Sequence, residues 1–144
     1  MSEAIKKTKY GLIAPPSLTD NADPTGLTYI DTAGYAHLRV LFQIGATDIA
    51  TTAAPKLTDC NTSGGTYADI TSAALAAAID AGDDSKIFCI DVDLEGKKRY
   101  VKPAITCGDG TLGTNICILG ILSTATERIP ENATEAGLEE LIQV

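Results

Sequence analysis

Residues 86–107, KIFCIDVDLEGKKRYVKPAITC, constrain the fold more than any other stretch of the chain. Phe88, Ile90, Val92 and Leu94 occupy every second position, with Asp91 and Asp93 between them. That is the period of a strand with one buried and one wet face. Glu95-Gly96-Lys97-Lys98 follows as a compact charged turn, in which glycine supplies the backbone freedom of a reversal. Val101, Ile105 and Cys107 then alternate with Tyr100, Lys102 and Thr106 on the return path. The stretch predicts two antiparallel strands of an all-β core. Pro103 has no N–H to give to a ladder, so the second strand is expected at an edge or a bulge, guarded by Lys102.

The rest of the chain repeats this strand-and-turn pattern. Leu27 to Asp31 predicts a short strand. Tyr35 to Gly45 predicts a longer one, with Leu38, Val40, Phe42 and Ile44 on one face. Residues 46–54 form a small-residue loop. Lys56 to Cys60 and Tyr67 to Thr71 read as strands around the turn Asn61-Thr62-Ser63-Gly64-Gly65. Residues 72–80 fit either strand or helix: Ser72 suits a helix cap, Leu75 and Ile79 share a helical face, and Gly82 suits a stop. Asn115 to Ser123 is a last strong strand, apolar on both faces. Such a strand is either central and covered twice or part of a subunit contact.

These elements predict one all-β domain, an antiparallel β-sandwich of jelly-roll type with seven or eight strands and at most one or two short helices. The sandwich spans residues 27–128. Residues 1–26, with Pro15-Pro16 and the turn-rich run 20–26, read as an extended N-terminal arm with a short strand around Gly11 to Ala14. Residues 129–144 read as an acidic tail, with Leu138, Leu141 and Ile142 at helical spacing. At 144 residues the chain is long enough to bury about two-thirds of its unfolded surface. Its apolar side chains are mostly Ala, Ile, Leu and Val, without Trp, which suits a pleated sheet.

Composition narrows the functional classes. Eleven basic against nineteen acidic residues leave a net charge of −8, which disfavours nucleic-acid binding and favours solubility. Lys6, Lys7 and Lys9 read as a solvated basic arm. No run of about 20 apolar residues is present to span a membrane, and the first ten residues are too polar for a signal-peptide core. Synthesis in a cytoplasm is therefore expected, with Cys60, Cys89, Cys107 and Cys117 as free thiols.

No motif carries catalysis. Gly108, Gly110 and Gly113 match G-x-G-x-x-G, but a strand-like run follows where dinucleotide binding requires a helix. Asp91 and Asp93 could hold a hard cation, although acidic alternation is common on the wet face of a sheet. His37 is the single histidine, and no cysteine sits in a CxxC pair or an activating context. The expectation is therefore no catalytic residue, no cofactor and no metal. Function is expected through contact area, carried by Ile116, Cys117, Ile118, Leu119, Ile121 and Leu122 of the last strand with Leu138 and Leu141 of the tail.

The order of features resembles one family. Tyr35-x-x-Leu38-x-Val40 leads to a Gly-Ala loop and then to Lys56-Leu57-Thr58-Asp59. Thr66-Tyr67-Ala68-Asp69-Ile70 comes next, then the run Ile90 to Lys102, whose Asp93-Leu94-x-Gly96-x-x-Arg99-Tyr100-x-Lys102 is its most specific piece, and a closing apolar strand. Residues 30–128 thus resemble the small virion proteins of tailed bacteriophages, above all the capsid decoration, or cement, proteins. The resemblance implies a sandwich that sits on the capsid exterior, often as a homotrimer, and bridges neighbouring major capsid subunits. The chain departs from the pattern at Tyr67, where Trp is common, and in its alanine-rich segment. The alternatives are another virion part (neck, tail or fibre base) and a carbohydrate-binding sandwich, the latter short of stacking aromatics.

Overall fold

The computed structural model describes residues 7–46, 51–111, 113–125 and 132–144. Lys6, residues 47–50 of the loop expected at 46–54 and the first residues of the expected tail lie outside them. Nine strands are described: β1 (Thr8–Thr19), β2 (Ile30–Asp31), β3 (His37–Ile44), β4 (Lys56–Cys60), β5 (Ala68–Ala74), β6 (Ile87–Asp93), β7 (Tyr100–Ala104), β8 (Thr114–Ser123) and β9 (Glu140–Gln143). They form a five-stranded sheet, β1-β8-β3-β6-β9, and a four-stranded sheet, β2-β7-β4-β5.

The logic of this order is that of one long ribbon. β1 pairs with β8, β2 with β7, β3 with β6 and β4 with β5, all antiparallel. The first four strands therefore form one arm of a hairpin and the next four its return. Rolling that ribbon into two layers gives the jelly-roll sandwich that the sequence predicts. Between the layers, Leu38, Val40 and Phe42 of β3 interleave with Ile90 and Val92 of β6, Leu57 of β4 and Val101 of β7, all fully buried. Alternation does this work: each strand sends every second side chain into a shared core.

Three local expectations need correction, and the choice left open at residues 72–80 is decided. β6 and β7 do not pair with each other. The turn after Leu94 carries the chain from one sheet to the other, because both strands belong to the return arm of the ribbon. The N-terminal segment is no loose arm: β1 runs beside β8 from Thr8 to Thr19, with register shifts near Pro15-Pro16. Residues 72–80 hold no helix. β5 continues to Ala74 through a bulge at Ser72 (φ 64°), the Leu75 N–H donates to Pro55, and Asp80 instead caps a short 3-10 turn at Ala81–Asp83. In the tail, Asn132 caps a single helical turn, α1 (Ala133–Ala136), and Gly137 ends it in the left-handed region. Residues 140–143 then add β9 to the edge of β6 in parallel register. Leu141 and Ile142 therefore point to opposite faces, and Ile142 packs on the core.

Pro103 sits opposite Leu57 in the β4 ladder. β2 reaches only Tyr100 and Val101, so at Pro103 the other flank of β7 is uncovered, an edge in the local sense that proline requires.

Candidate interaction surface

The two outer faces of the sandwich differ in chemistry. On the four-stranded sheet, Lys56 Nζ contacts Asp69 at 2.6 Å, and both border a shallow groove of about 490 Å³ with Thr58 and Lys102. Tyr29 and Tyr100 meet edge to face at 5.2 Å, and the Arg99 guanidinium lies over the Tyr100 ring at 5.1 Å. This face is polar and charged.

The outer face of the five-stranded sheet is built from rows that cross all five strands. One row runs Leu12, Leu119, Leu41, Cys89 and Leu141 from β1 to β9, and it is apolar throughout. The next runs Tyr10, Ile121, Arg39, Asp91 and Gln143. Within it Arg39 Nη2 lies 3.1 Å from Asp91 Oδ2, and Asp91 is only 3% exposed. The expected wet-face carboxylate is thus a buried partner in an ion pair, which Gln143 Nε2 also approaches at 3.4 Å. The β1 flank stands out: Tyr10, Leu12 and Leu18 are 69%, 55% and 66% exposed. The sequence reading placed a short strand around Gly11 to Ala14 within an N-terminal arm and gave none of these three residues a contact role. The signal was there in the run Tyr10 to Ala14, apolar on both faces like β8.

The expected contact residues divide by parity along β8. Ile116, Ile118 and Leu122 point inward and are fully buried, which withdraws them from any surface. Cys117, Leu119 and Ile121 point outward and are half-buried, as are Leu138 and Leu141. Cys117 also lines a groove of about 510 Å³ with Leu18, Gln43 and Asn115.

Burial pushes the Cys107 thiol up to about 11 and raises that of Cys117, opposite to what a nucleophile needs. His37 Nδ1 is 2.6 Å from the Ala125 carbonyl oxygen, beside Asp93 in a cleft of about 280 Å³. Among the described residues, no group of three His, Cys, Asp or Glu could hold a metal ion. The glycine motif lies in the loop between β7 and β8, where Gly108 and Gly110 take positive φ and the Gly108 N–H donates to Thr114 Oγ1. A strand follows it. No described helix is long and apolar enough to cross a membrane.

Fold and surface together define a jelly-roll sandwich with an apolar row across the outer face of its five-stranded sheet. No protein-family model matches the chain, and no curated protein matches it in sequence. The fold is similar to the crystal structure of the SPBc2 prophage-derived protein YomS, at a TM-score of 0.50 and 11% identity, over 85% of this chain and 98% of that one. The likeness is one of fold.

Proposed function

We propose that this protein is a structural component of a tailed-phage virion that decorates the outside of the capsid and stabilises it by bridging neighbouring major capsid subunits. It works with copies of itself and without catalysis. The observation that carries this reading is the apolar row across the outer face of the five-stranded sheet, which ends at the exposed Leu12 of β1. A protein that acts by contact needs a stiff body and exposed area, and each contact on a repeating shell can be weak. The fold shared with a prophage-derived protein supports the phage setting, as do the sequence features of residues 30–128.

The test is binding of the purified protein to expanded, DNA-filled heads of its phage, imaged by cryo-electron microscopy. Density of this fold over junctions between capsid subunits is expected. Density at the neck or tail would move the protein to another virion part. No binding to any particle would overturn the virion reading.

A further inference from the structure

We infer that β1 pairs edge to edge with β1 of a second copy, joining two five-stranded sheets into one continuous ten-stranded sheet. This inference goes beyond the virion reading and does not rest on it.

It starts from backbone hydrogen bonding. The Thr124 N–H donates to the Lys7 carbonyl, which fixes the alternation along the β1–β8 ladder. Lys7, Lys9 and Gly11 turn their backbone groups toward β8. Thr8, Tyr10 and Leu12 therefore turn theirs toward the open edge, since β1 is the outermost strand. Past Leu12 the edge is closed, because the Thr28 N–H donates to the Ile13 carbonyl and Pro15-Pro16 follows.

The other edges are short or broken. β2 has two residues, β9 has four, and β5 is bulged at Ser72. Over residues 8–12 there is no proline and no bulge, a tyrosine and a leucine are exposed, and Lys9 is the single edge charge. Such an edge is a template for another strand.

The occupant follows from the sequence of the edge itself. Antiparallel pairing about Tyr10 sets Tyr10 against Tyr10, Thr8 against Leu12, and Lys9 against Gly11. The residues whose backbone groups face outward then meet one another, the aromatic pair is favourable, and no like charges come opposite. A seam of five residues on each copy is smaller than a standard specific interface, so weak association in the micromolar range is expected. The twofold contact is isologous and gives a dimer, where the resemblance implied a trimer.

The experiment measures mass by sedimentation of the full chain over a concentration series, with circular dichroism as the check on folding. Tyr10→Pro removes an N–H that faces only the open edge, so a folded variant with association weakened at least tenfold is expected. Tyr10→Cys is expected to form an interchain disulfide on mild oxidation, whereas Thr8→Cys, whose partner position is Leu12, is not; the unsubstituted chain controls for Cys117. If Tyr10→Pro fails to fold, this disulfide pattern alone decides. A monomer at all concentrations overturns the inference, as does an oligomer indifferent to Tyr10→Pro. A monomer that loses head binding on Tyr10→Pro would mean that the edge takes a foreign strand, and also overturns it.

Discussion

Gly11 and Gly120 lie directly opposite each other across the β1–β8 ladder, and Ile30 Cδ1 fills the notch left by their missing side chains. A Cβ on Gly11 would come within 2.8 Å of that methyl, and one on Gly120 within 2.7 Å of it and 3.0 Å of Ile13 Cδ1. Here the rim of the four-stranded sheet closes onto the other layer, with Ile30 only 6% exposed. Gly120→Val is expected to cost about 2–3 kcal/mol in urea unfolding, because the core has no room to take the added methyls. Gly120→Ala should cost less, and part of that cost should return in the double variant with Ile30→Val.

The core itself is expected to answer to cavity formation. Phe42 is among the largest fully buried side chains, at the centre of β3. Phe42→Ala should lower unfolding free energy by about 3–5 kcal/mol, measured by urea denaturation. Leu119→Ala, on the outer face, should cost markedly less in the same assay.

Asp31 and Arg99 make a two-pronged pair between β2 and the start of β7, with Nε to Oδ1 at 2.8 Å and Nη2 to Oδ2 at 2.7 Å. Hydrogen bonding from Arg99, and then from the Ala33 N–H, holds the Asp31 carboxyl at about 2, below its ordinary 3.8. A carboxylate lowered on folding adds stability above its unfolded value, and that increment fades as pH falls toward the folded one. The difference in unfolding midpoint between the protein and Asp31→Asn is therefore expected at neutral pH and should close as pH falls from 3.8 to about 2. Because both side chains are partly exposed, the difference should be small and shrink with added salt.

Ser72 holds a left-handed conformation at the β5 bulge, with φ 64°. Glycine adopts that geometry without the Cβ clash, so Ser72→Gly is expected to stabilise by about 1 kcal/mol. Ser72→Val should destabilise by a comparable amount. Thermal unfolding of the pair against the parent checks both signs.

β9 completes the hydrogen bonding of β6: the Asp93 N–H donates to Val144, and the Asp91 carbonyl accepts from the Val144 N–H. Deleting residues 139–144 is expected to speed amide hydrogen exchange at Asp93 while amides facing β3 remain protected. Nuclear magnetic resonance exchange rates read this directly.

Most strands were legible because alternation is a local property. β3, β4 and β6 fall where Leu38 to Ile44, Lys56 to Cys60 and Phe88 to Val92 predict them. The misreadings share a cause, which is that the deciding partner lies far away in sequence. Tyr10 to Ala14 looked like part of an arm because its partner, β8, lies more than 100 residues on. Leu138, Leu141 and Ile142 suited a helix until the open edge of β6 offered backbone partners that a short acidic helix would lack. Asp91 looked wet because nothing near it in sequence announces Arg39.

The sequence by itself determined that this is an all-β protein with small branched core residues and that β8 is apolar on both sides. Those facts follow from side-chain period and composition, which each residue carries wherever it lies. Only the tertiary structure decided which sheet each strand joins, which face of β8 the core consumes, and that β1 is the outer strand of its sheet among the described residues. Strand pairing joins residues that are remote along the chain, and one register choice turns every side chain to one face or the other.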